Sequence, residues 1–109
     1  MIELEIDRFL GRIASIRMDI SDYENWCAEY RKFRNTYPVW TTRDGNKVHI
    51  YNMTDSHLNN TISLVERKDP ESVWSQILKQ EQTYRDLLKR IKSLREELYV
   101  LEGVCDKVF

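Results

Sequence analysis

Two histidines, two cysteines and eighteen acidic residues are the groups in this chain that could bind a metal or move a proton. Cys27, His49, His57 and Cys105 supply the atoms of a tetrahedral zinc site. No pair of them has the short ligand spacing of zinc modules, so no metal site is expected. With Cys27 on an apolar seam, the simpler reading is a small core residue and reduced thiols. A metal-dependent nuclease would need carboxylates and a histidine at a strand–helix junction. Asp44, Asp55 and His57 form the one set that folding could bring together. Each already has a structural role. Asp44 sits in a turn, Asp55 in the first turn of a helix, and His57 is a third helical residue whose ring can bond back to the cap or hairpin. There is no Gly-x-Ser-x-Gly elbow, no phosphate-cradling glycine loop and no His-Glu-x-x-His. No catalytic residue and no cofactor are therefore expected.

The other chemistry on offer is recognition. Arg31, Lys32, Arg34, Arg43 and Lys47 cluster with Tyr30, Tyr37 and Trp40. Cations interleaved with aromatics can grip phosphates and stack on bases, or anchor a protein interface. The plainer alternative is an aromatic core with a rim of snorkelling cations. Arg34, Tyr37, Trp40, Arg43 and Lys47 are the candidate partner-binding residues. Glu81, Arg85, Lys89, Glu96 and Glu97 read instead as a solvated helix face. Seventeen basic against eighteen acidic residues leave a net charge of −1, so nothing global draws the chain to nucleic acid or membrane.

Helices must position these groups. Ile6, Phe9, Ile13, Ile16, Ile20, Tyr23, Cys27 and Tyr30 follow one another at alternating steps of three and four. Val73, Ile77, Gln80, Tyr84, Leu87, Ile91, Leu94, Leu98 and Leu101 do the same. Each set makes a continuous seam that must be buried against another helix. Helices are expected over 2–34 and 70–102, each roughly 50 Å long and paired antiparallel. Ser21-x-x-Glu24 is a capping box that could restart the first helix, but the seam crosses it in phase. Gln80 is a polar seam position able to set register. Leu10, Trp26, Phe33, Trp74, Leu78 and Leu88 widen the seams, which favours self-association, most simply a dimer with a four-helix core.

Between the helices, Pro38 ends the first and a hairpin occupies 39–50. A two-residue loop at Asp44-Gly45 would put Val48 and Ile50 on the face opposite Trp40. A loop of residues 43–45 pairs Trp40 with Val48, gathers Trp40, Thr42, Val48 and Ile50 on one face, and gives Gly45 the left-handed position. His49 then faces the other way. A short helix follows over 54–67, with Thr54 as its cap and Met53 and Leu58 at hydrophobic-staple spacing. Pro70 is expected as the first residue of the last helix and Gly103 as its stop. The fold class is thus α+β, mostly α: two long coiled-coil-like helices with a hairpin and a short helix at one end, in a single domain.

The middle segment also resembles something known. Trp40-Thr41-x-x-Asp44-Gly45, an aliphatic at Ile50, then Met53-x-x-x-His57-Leu58-x-Asn60-x-Ile62 is similar to a motif of small phage- and prophage-encoded proteins, mostly of unassigned function. The resemblance spans residues 40 to 66, roughly a quarter of the chain. It implies a viral or mobile-element origin and action inside a bacterial host, and it carries over no catalytic or binding role. Asp44, Gly45, Met53 and His57 are its structural residues. The start has no signal-like run and no segment approaches a membrane span, so the host cytoplasm is the expected location. The expectation is a non-enzymatic interaction protein that inhibits or sequesters a host protein or ribonucleoprotein, in the manner of an anti-defence inhibitor. A nucleic-acid-binding accessory protein and an oligomeric sponge for a nucleotide signal are the alternatives.

Overall fold

The computed structural model describes residues 2–108. In chain order these form α1 (Ile2–Phe33), a 3-10 turn (Arg34–Thr36), β1 (Trp40–Thr41), β2 (Lys47–Val48), a second 3-10 turn (Ile50–Asn52), α2 (Asp55–Lys68) and α3 (Val73–Val108). The fold is α+β and mostly α. The chain divides into two units, one of residues 1–27 with 87–109 and the other of residues 28–86.

α1 runs 32 residues without a break at Ser21. A capping box starts a helix only where the preceding residues leave it, and here nothing before Ser21 breaks the ladder. In the first unit the seam is buried at Ile13, Ile16 and Cys27 of α1 and at Ile91 and Leu94 of α3. Ile6, Phe9, Ile20, Leu87, Leu98 and Leu101 are half-buried beside them. Glu24 pairs with Arg95 and Arg17 with Glu102, which sets the two helices antiparallel in this unit. Arg12 adds a two-pronged pair, its Nε and Nη2 each donating at 2.9 Å to the Glu97 carboxylate. These ion pairs are exposed and screened by solvent, so they contribute little to stability. The apolar seam contributes more, about 1.5–3 kcal/mol for each fully buried Ile or Leu.

The second unit holds a core of Ile50, Met53, Leu58, Ile62, Val65 and Leu78, with Trp40, Val48, Trp74 and Ile77 packed against it. The hairpin has the three-residue loop, with Trp40 opposite Val48 and Thr41 opposite Lys47. Gly45 stands at φ +84°, where a Cβ would be strained, and its N–H donates to the Thr42 carbonyl at 2.9 Å. The strands are shorter than the expected 39–50. Ladder pairing ends at Val48, and Asn52 and Met53 donate back to the carbonyls of His49 and Ile50. Ile50 therefore enters the core from a turn instead of a strand. Thr54 caps α2 by accepting the His57 N–H at 3.1 Å. Met53 and Leu58, 3% and 1% exposed, both lie in the core as a staple requires.

α3 departs from expectation at both ends. Pro70 is not its first residue: residues 70–72 form a turn, and Ser72 caps the helix by accepting the Ser75 N–H at 3.2 Å. A serine oxygen satisfies a free N–H at the helix start, which proline cannot do. Asp69 leaves the helical region before Pro70, at φ −158° and ψ 83°, and its N–H closes α2 onto the Val65 carbonyl. At the other end Gly103 keeps negative φ and the helix continues to Val108. The seam also shifts near its start, because Val73 is exposed while Ser75, Leu78 and Glu81 are buried. No described helix is long and apolar enough to cross a membrane.

Candidate functional site

Glu81 has no accessible surface at all. The expectation of a solvated helix face at Glu81 and Arg85 is corrected here, and so is the seam position of Gln80, which is exposed. An isolated carboxylate in such a place would be strongly unfavourable, so its partners matter. Tyr30 from α1 donates its hydroxyl to Oε1 at 2.9 Å. Arg34, from the 3-10 turn that follows α1, donates Nη2 to Oε2 at 2.8 Å. Arg85, one turn along α3, donates Nε to the same oxygen at 2.9 Å. Arg85 reaches further, to Asp55 Oδ1 at 2.9 Å and to the Ile50 carbonyl at 3.3 Å. One buried carboxylate thus ties the end of α1 to α3, to the start of α2 and to the turn below the hairpin.

The electrostatics follow from this packing. Burial first, and then the hydrogen bond to Glu81, push the Tyr30 phenol well above the ordinary tyrosine range. Burial likewise raises the Tyr37 phenol, whose hydroxyl donates to Gln80 Oε1. For Arg85 desolvation opposes the charge, but the hydrogen bonds to Glu81 and Asp55 outweigh it and hold the guanidinium ionised more firmly than usual. Tyr30 thus keeps its proton and Arg85 its charge through the neutral range.

Around the hub runs a ladder of rings and guanidinium groups. The Arg34 guanidinium carbon lies 4.7 Å from the Tyr84 ring centre and 5.5 Å from that of Tyr51. Arg31 lies 5.9 Å from Tyr84 and donates to its hydroxyl at 3.3 Å. His49 stacks on Tyr51 at 5.0 Å with 23° between the planes. Contacts of this kind are each worth about 0.5–2 kcal/mol, more as water is excluded.

The five candidate binding residues therefore separate. Arg34 turns inward to Glu81, so it has the structural need for charge that its sequence context does not reveal, while the half-buried Tyr37 donates to the exposed Gln80. Trp40 meets Trp74 edge-to-face, centres 5.0 Å apart, against the core. Arg43 and Lys47 stay exposed on the hairpin, without an ion pair among the described residues. Asp44 is exposed in the turn, and Asp55 joins Arg85 rather than His57. His57 is half-buried, and its described bonds run through the backbone, the N–H to Thr54 and the carbonyl to the Thr61 hydroxyl at 2.7 Å. Among the described residues no three His, Cys, Asp or Glu side chains gather as metal ligands.

Glu81 lies one residue off the assigned seam, yet its row carries a partial signal of burial. Trp74, Leu78, Glu81, Arg85 and Leu88 form a second row at heptad spacing, one step beside the assigned seam. Trp74 and Leu78 mark the start of that row as packed and it leads on to Glu81, whereas Leu88 further along is exposed. Compared with known protein families, curated proteins and solved structures, the chain matches none.

Proposed function

We propose that this chain is a non-enzymatic binding protein of phage or prophage type, which inhibits or sequesters a host component in the bacterial cytoplasm. The observation that carries the reading is the division of labour among the cations. Arg34 and Arg85 are consumed by Glu81, whereas Arg43 and Lys47 are left exposed on a hairpin whose base is locked into the core by Trp40 and Val48. Exposed charge on a rigid support suits recognition, since little ordering entropy remains to be lost on binding. The exposed apolar side chains of Met18, Tyr99, Val100 and Val104 support self-association, with a second copy covering them.

The test is purification from bacterial cells of the wild type and of the double variant Arg43→Glu, Lys47→Glu, with quantification of what co-purifies. The double variant should stay folded and lose the co-purifying component. His57→Gln should stay folded and keep binding, because the described hydrogen bonds of His57 run through its backbone and survive the substitution. A fully folded but inactive His57→Gln, beside a double variant with unchanged binding, would replace this reading with a catalytic or metal site at His57. A nucleotide or metal retained in native mass spectrometry would replace it with a sponge or an enzyme.

A further inference from the structure

The ring and guanidinium ladder ends at the surface. From Arg31 it passes through Tyr84, Arg34 and Tyr51 to His49, and His49 is exposed. The hairpin register decides what stands beside that ring. Trp40 and Val48 form a directly opposed pair whose side chains pack on the core. Successive side chains of a strand alternate faces, so Thr41 and Lys47 point outward. His49 lies just past β2 but keeps an extended backbone, φ −69° and ψ 138°, so the same alternation puts it on the outer face with Lys47, about 7 Å away. Arg43 lies in the loop at the tip.

We infer that this outer face of the hairpin binds single-stranded nucleic acid, with a base stacked on His49 and phosphates held by Lys47 and Arg43. The inference rests on the binding-protein reading above and names the partner class for the same hairpin. Three observations favour it. Between Ala28 and Ile50 stand five cations and two carboxylates, a local excess in a chain of net charge −1. Arg34 and Lys32 are committed to Glu81 and Glu29, which leaves Arg43 and Lys47 as the hairpin's cations without an ion pair among the described residues. The exposed His49 ring stacks on Tyr51, whose own ring meets the Arg34 guanidinium, so it is a supported platform and not a loose side chain. An acidic protein segment would use the two cations and leave that ring without a partner. A duplex keeps its base faces stacked internally and cannot offer one, whereas a single strand offers both a π-face and a phosphate.

Fluorescence anisotropy with labelled oligouridine, oligothymidine and a DNA duplex, over a salt series, tests this. Wild type should bind the single strands and bind the duplex much more weakly. His49→Ala should weaken single-strand binding about tenfold, the loss expected of one stacked base. Two phosphate contacts should give a log–log salt slope of about −1.4, and Arg43→Gln with Lys47→Gln should flatten it toward zero. These residues are exposed, so unchanged circular dichroism and melting serve as the check on folding.

Absence of single-strand binding at low salt, equal binding of duplex, or an unaltered affinity in folded His49→Ala overturns the inference. If nucleic acid is not bound, yet Arg43→Glu with Lys47→Glu releases a nuclease-resistant host protein, the inference fails and the binding-protein reading survives. If that double variant releases nothing either, both fail.

Discussion

At the scale of single residues, Glu81 is where the largest effects should concentrate. Its carboxylate is flanked by Arg34 and Arg85, whose side chains are 20% and 14% exposed. Removing one partner of a buried ion pair typically costs about 3–5 kcal/mol, because the remaining charge is left uncompensated. Glu81→Ala should therefore lower unfolding stability by that order in urea titrations. Glu81→Gln should cost less, since the amide keeps one acceptor. A Glu81→Ala variant within about 1 kcal/mol of wild type would mean that the hub contributes little. Tyr30 supplies a second test. Its phenol is raised in the folded chain, so the folded state holds the proton more tightly than the unfolded state. That stability is fully present below the unfolded tyrosine range and is lost as pH rises above about 10, where the unfolded phenol ionises first. Urea midpoints should fall between about pH 9 and pH 11, and Tyr30→Phe should flatten part of that fall. An identical pH dependence in Tyr30→Phe would assign it to other groups.

At the scale of elements, the hairpin, its following turn and α2 act as one piece because they share a core. Met53 leaves the turn, staples to Leu58 across the Thr54 cap and fills space beside Ile50 and Leu78. Met53→Ala should cost about 2–3 kcal/mol, part transfer free energy and part cavity. A melting temperature within a degree of wild type would show that the staple is not a stabilising contact. Gly45 is the other sensitive position in this element. Its φ of +84° admits glycine easily, and a Cβ there meets no neighbour, so the effect of Gly45→Ala is purely conformational. It should cost about 1–2 kcal/mol through backbone strain alone, read as a lower urea midpoint at an unchanged slope. An unchanged midpoint would mean that the loop can relax to another turn.

At the scale of the whole molecule, two long seams carry the fold and two units divide the work. The first unit is stabilised by apolar burial along α1 and α3, and its ion pairs lie outside at the rim. Leu94 has no exposed surface in that unit. Leu94→Asp places a charge where no partner waits, and burial of an unpaired carboxylate is strongly unfavourable. Circular dichroism and sedimentation should report loss of helicity, of any oligomer, or of both. A variant that kept wild-type helicity and mass would remove the seam as the source of stability. The second unit carries the polar hub and the hairpin, so its damage should be felt at Glu81 and Met53 before it is felt at Leu94.

Much of this was set by the sequence alone. Heptad spacing put Ile13, Ile16, Ile91 and Leu94 inside, because a stripe repeating every 3.5 residues can be buried only on one side of a helix. Side-chain parity around Asp44-Gly45 set the hairpin register, since strand periodicity is two and a one-residue slip would turn Val48 away from Trp40. Thr54, Met53 and Leu58 marked the start of α2 through local capping chemistry. Three-dimensional packing decided the rest. Whether Glu81 or Gln80 faces inward depends on what three other elements bring to that spot, namely Tyr30, Arg34 and Asp55, each distant in sequence. A carboxylate is buried only where enough donors converge on it, and no local pattern encodes that convergence. The same holds for the ladder that ends at His49. Its rings and guanidinium groups come from α1, the two 3-10 turns, α3 and the residue that follows β2, and only the folded chain sets them in line.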